Sequence, residues 1–145
     1  MGILSTLPGW QALLAAAAGT LWGIFGGALP GISPSIAMAL LLPLTYGMEP
    51  VAAIVLLASV YVGAEYGGSI PAILIRTPGT NSAAATTIDG YEMARQGRAG
   101  EALGISLICG LVGGLAGLVF LVVATEPLAR FALRFTPPAY FALAV

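Results

Sequence analysis

The sequence has no histidine and no lysine, a single cysteine, and only five basic and six acidic side chains in 145 residues. Each shortage closes a class of function. Without imidazole there is no His-ligated metal centre and no Ser-His-Asp relay, and no metal site is assigned. Five dispersed arginines and a net charge of −1 make no basic surface for nucleic acid. Cys109 lies within an apolar run, where a lone thiol reads as a small buried hydrophobe. Charged residues make up 8% of the chain, whereas soluble domains carry about a quarter. So little charge does not cover a water-facing surface.

What is present points to lipid. Hydrophobic residues make up 59% of the chain, and the mean hydropathy is +0.99. The expected fold class is all-α integral membrane, with transmembrane helices and broken or re-entrant segments at Pro-Gly motifs. The 20 glycines and 10 prolines follow no collagen period, and both residues are common in membrane helices. Residues 1–9 lack the basic start of a cleavable signal peptide, so the first span is expected to remain in the mature protein.

No charge occurs before Glu49. Trp10–Leu29 is long enough to cross a hydrocarbon core of about 30 Å. Gly19, Gly23, Gly27 and Gly31 recur every fourth residue and share one helical face. Such a strip serves close helix packing or, alternatively, borders a transport path. It ends at Gly26-Gly27-Ala28-Leu29-Pro30-Gly31-Ile32-Ser33-Pro34. Pro30 and Pro34 withhold donors and Gly31 permits unusual dihedrals, so a helix is expected to stop there. Ser33 is a candidate N-cap for a new one. The stretch between Gly31 and Pro43 is too short for an ordinary crossing and suits a re-entrant hairpin or half of a broken helix. Tyr46–Pro50 reads as a turn.

Val51–Ala64 is apolar and runs into Glu65, a carboxylate expected either at an interface or structural pair, or in a polar cavity. A short apolar stretch, Ile70–Ile75, precedes a second break in Arg76-Thr77-Pro78-Gly79-Thr80-Asn81-Ser82. Helix N-termini left by such breaks present unpaired N–H groups suited to carboxylates, and exposed carbonyls suit Na⁺. The candidate binding residues are Gly31, Ser33 and Ser35 from the first break and Arg76, Thr77, Gly79, Thr80, Asn81 and Ser82 from the second. Glu65 is a weaker candidate. Arg76 either attracts an anionic substrate or reaches headgroups or a structural carboxylate.

Asp89–Glu101 is expected to form an aqueous connection with a short surface helix. Its Arg95 and Arg98 favour the cytoplasmic side. Ala102–Thr125 is a second clear span, with Gly110, Gly113, Gly114 and Gly117 available for packing, and Glu126-Pro127 is expected to end it. Arg130 and Arg134 sit four apart on an interfacial amphipathic stretch. After Thr136-Pro137-Pro138, Ala139–Val145 is apolar again, so residues 1–145 are expected to be the N-terminal part of a longer, truncated permease domain.

The ordered motifs Gly27-Ala-Leu-Pro-Gly31-Ile-Ser-Pro34, Leu42-Pro-Leu-Thr-Tyr-Gly47, Tyr61-Val-Gly-Ala-Glu-Tyr-Gly-Gly-Ser69, Thr77-Pro-Gly79 and Asp89-Gly-Tyr-Glu-Met-Ala-Arg-Gln-Gly-Arg-Ala-Gly-Glu-Ala102 resemble the N-terminal region of the TctA family. These are the large membrane subunits of tripartite tricarboxylate transporters. The pair Ile32-Ser33 departs from the Leu-Gly often found there. The resemblance implies a multi-pass protein of the bacterial inner membrane that is no enzyme and needs no cofactor. It implies secondary active transport of tricarboxylates or related carboxylates driven by Na⁺ or H⁺. The implied partners are a small membrane subunit and an extracytoplasmic solute-binding protein. The alternative is a membrane assembly or structural fragment without transport of its own.

Overall fold

The computed structural model describes residues 9–132, so residues 1–8 and the Arg134, Pro137-Pro138 and Ala139–Val145 expectations lie outside the described residues. Within that range the chain is all-α: α1 (Trp10–Ala28), α2 (Pro34–Leu41), α3 (Pro50–Ile75), α4 (Thr86–Arg95) and α5 (Ala99–Ala132). Three of these, α1, α3 and α5, are long and apolar enough to cross a membrane. The described chain divides into two compact units between Leu107 and Ile108.

In the first unit, α1 packs on α3 through glycine. A side chain at Gly19, Gly23 or Gly27 would run into the backbone carbonyls of Leu56, Val60 and Ala64 respectively. Gly63 and Gly67 of α3 answer from the other side, against Thr20 and Ile24. Because both partners advance four residues at a time in the same direction, α1 and α3 run parallel. Backbones approach this closely only where side chains are missing, and the stabilisation is dispersion along two whole helix faces. The glycine strip is therefore used in α1–α3 packing as far as Gly27. Gly31, at φ +96° with open space around it, is a turn residue instead.

Parallel α1 and α3 require the chain between them to travel back. It does so through α2 and a 3-10 turn, Leu42–Thr45. Eight α residues and four 3-10 residues rise together by ~20 Å, and extended residues at each end supply the rest. Of the two forms expected for this segment, the structure selects the broken crossing helix and not a hairpin that returns to its own side. Ser33 caps α2, its hydroxyl accepting from the Ile36 N–H at 3.3 Å, with Pro34 at the first helical position. The Trp22 indole N–H donates to the Ala37 carbonyl at 3.2 Å and ties α2 to α1. Ala37, Val60 and Ala64 form the buried contact between α2 and α3.

α3 is longer than the sequence pattern suggests. Glu49 starts it by accepting from the N–H groups of Val51 (3.1 Å) and Ala52 (3.0 Å). It then runs without a break through Pro71 to Ile75. Pro71 does not end it, because one missing donor is tolerated in a membrane helix. Glu65 is consequently interior to a membrane helix, not at the end of one. The real stop is Arg76, in the left-handed region at φ 57°.

α4 starts earlier than the expected surface helix and ends in a Schellman motif. Arg98 N–H reaches the Met93 carbonyl and Gly97 N–H the Ala94 carbonyl, both at 3.0 Å, with Gly97 at φ +80°. Glu92 and Arg95 pair at 3.6 Å on its exposed face. Arg98 grips Glu101 of the first turn of α5 through two hydrogen bonds of 2.8 and 2.6 Å. In the second unit, α5 continues past Glu126-Pro127 to Ala132. The expected stop at Pro127 fails there too: one missing donor in an apolar helix is tolerated, and Arg130 folds back to Glu126 at 2.6 Å across the same turn.

Candidate functional site

The residues after Arg76 do not move away from α3. They turn back along it. Thr77 N–H bonds the Pro71 carbonyl at 3.2 Å, and two residues later Gly79 N–H bonds the Gly68 carbonyl at 3.1 Å. Gly79 sits against the backbones of both Gly27 and Gly68, where any side chain would collide. Three glycines from three segments thus meet at one point. Their meeting lets the loop reach the level of Glu65, from which α4 runs down α3 again, with Gly90 against Ile73. The segment from Thr77 to Ala85 is therefore a re-entrant loop.

Both interruptions meet at the same place. A cavity of about 620 Å³ is bounded by Gly31, Ser33, Pro34 and Ser35 at the start of α2, by Tyr61 and Glu65 on α3, and by Pro78, Gly79, Thr80, Asn81, Ser82 and Ala84 of the loop. Pockets for small ligands run from roughly 300 to 1,000 Å³. Hydroxyls, an amide, a carboxylate and the first turn of a helix share this wall. In that first turn Pro34 has no N–H and Ser33 takes those of Ile36 and Ala37, so the N–H of Ser35 is the one left to carry partial positive charge.

Glu65 is held in place by the loop. Ser82 Oγ donates to Glu65 Oε2 in a short hydrogen bond, and Thr80 Oγ1 lies 3.0 Å from Ser82 Oγ. Thr80 is buried. The two hydroxyls and the carboxylate form one chain from the loop to α3. Among the described residues no basic side chain lines the cavity.

Of the ten candidate residues, the structure brings Gly31, Ser33, Ser35, Glu65, Gly79, Thr80, Asn81 and Ser82 to this cavity. Arg76 and Thr77 are elsewhere. The Arg76 guanidinium lies over the Tyr91 ring, 5.8 Å from its centroid, in a cation–π contact that joins the end of α3 to α4. The Thr77 hydroxyl turns to the Ile75 carbonyl at 3.4 Å. Tyr61 is a wall residue absent from the sequence-based set. Its signal is simple: it stands one helical turn before Glu65, on the same face of α3.

Residues 13–145 match the family described as "Tripartite tricarboxylate transporter TctA family". Over 127 residues the chain is 48% identical to an Agrobacterium vitis protein described as "Uncharacterized 52.8 kDa protein in TAR-I ttuC' 3'region". The alignment covers 88% of this chain and 25% of that relative, so the chain spans about a quarter of the relative's length. No solved structure matches. Together with three helices of crossing length, the family match identifies a multi-pass protein of the bacterial inner membrane.

Proposed function

From the premise that this chain belongs to the tripartite tricarboxylate transporter TctA family, we propose that residues 1–145 are the N-terminal part of a permease domain that carries tricarboxylates or related carboxylates inward by secondary active transport. The observation that carries this reading is the convergence of two interrupted segments on one polar cavity. The α2 N-terminus offers the Ser35 backbone N–H to a carboxylate, and Ser33, Ser35, Thr80, Asn81 and Ser82 offer short polar side chains. No bond is made or broken. Selection and release depend on which face of the membrane the site meets, and the coupling cation is Na⁺ or H⁺. The partners in this reading are a small membrane subunit and an extracytoplasmic solute-binding protein, which delivers the anion.

The test is uptake of radiolabelled citrate and succinate by the full-length protein, reconstituted in proteoliposomes with both partners. Accumulation that requires an imposed Na⁺ or proton gradient supports the reading. Uptake indifferent to both gradients contradicts it.

A further inference from the structure

Resting on the transport reading, we propose that Glu65 is the coupling group of the cavity: while it is charged the site rejects a carboxylate, and a proton or Na⁺ on it admits one. The physical basis is electrostatic. Glu65 is the one charged side chain on the cavity wall among the described residues. Its neighbouring elements do not neutralise it. α1, α2 and the loop's 3-10 turn, Ser82–Ala84, contain no charged residue. α4 contributes Asp89, Tyr91, Glu92 and Arg95, none of them lining the cavity, and Arg95 faces Glu92. On α3 itself, Tyr61 shares the wall and Tyr66 follows Glu65, while Arg76 is engaged with Tyr91.

An anionic ligand arriving here therefore meets a carboxylate on the cavity wall, with no cation lining it among the described residues. Like charges at such short range repel, so cancelling that charge favours anion entry. Either monovalent cation does this with the same donors. A proton on one Glu65 oxygen leaves the Ser82 hydroxyl bond in place on the other. Na⁺ takes the carboxylate together with the Ser82 and Thr80 hydroxyl oxygens, all within one hydrogen-bonded chain. The consequence is linkage: each ligand strengthens the other by the same factor, typically about 5- to 150-fold in coupled systems.

The experiment uses the full-length transporter with its partners in proteoliposomes, with labelled citrate and succinate as probes. Proton and Na⁺ gradients are imposed separately, which tells the two cations apart. Gradient-driven accumulation and gradient-free citrate exchange are measured side by side. In Glu65→Gln, accumulation is expected to fall at least about tenfold, and the exchange that remains becomes insensitive to pH and Na⁺. Glu65→Met, apolar and of similar length, should uncouple in the same way, and Glu65→Asp should restore the cation dependence. Accumulation in Glu65→Gln or Glu65→Met with the wild-type gradient dependence overturns the coupling role and leaves the transport reading standing. A wild type that moves neither probe overturns the transport reading itself.

Discussion

Gly79 carries more of the site than any polar residue on it. Its missing side chain allows the re-entrant loop to touch Gly27 and Gly68 at once, and the loop delivers Thr80, Asn81 and Ser82. Gly79→Ala should destabilise the protein by about 1–3 kcal/mol through overpacking against backbone that has no room to give, read as a lowered midpoint in thermal unfolding of the detergent-solubilised protein, with transport lost. Gly31→Ala meets open space but keeps a φ of +96°, so its penalty is conformational alone, roughly 1–2 kcal/mol. A Gly79→Ala variant as stable as Gly31→Ala would mean the three-glycine meeting is not tight. At this scale the sequence is informative where chemistry is local. Ser33 as a cap and Gly31 as a turn follow from their neighbours. The position of Arg76 does not, because its partner Tyr91 is on another helix and its left-handed cap conformation is unusual for a residue with a side chain.

The helices divide by what starts and stops them. α1 and the break after it are legible in sequence, since glycine spacing and the Pro-Gly pair are both written into adjacent residues. The extent of α3 is not. The apolar run is readable as far as Ala64, whereas α3 passes Glu65 and Pro71 because a membrane helix tolerates one missing donor. Glu49 reads as part of a turn in sequence, yet it is the cap of α3. Glu49→Ala should therefore cost about 0.5–2 kcal/mol of stability, with Glu49→Asp retaining most of it; equal melting midpoints for the two variants would remove the capping role. Along the α1–α3 seam, Gly23→Leu should separate the helices and abolish folded yield. The same substitution at Gly9, which has no neighbour within 4 Å, should be tolerated. Fluorescence-detected size exclusion distinguishes the two.

At the scale of the whole molecule, parallel α1 and α3 fix which ends share a side of the membrane. The turn at Gly47 and the cap at Gly97 belong on opposite faces, because α3 separates them. With Cys109 replaced by alanine, Gly47→Cys and Gln96→Cys should react with a membrane-impermeant maleimide from opposite sides, Arg95 and Arg98 favouring the cytoplasm for the Gln96 side. Labelling of both from one side would mean that α3 does not cross the membrane. The central claim is that the two interruptions enclose the carboxylate. Its most direct test is substrate protection of a cysteine at Asn81 on the cavity wall, in the full-length protein with Cys109 replaced. Citrate or succinate together with the coupling cation should slow maleimide labelling of Asn81→Cys and leave Gln96→Cys unaffected. Asn81→Cys labelled at the same rate with and without carboxylate, in a protein that still transports it, would place the anion elsewhere.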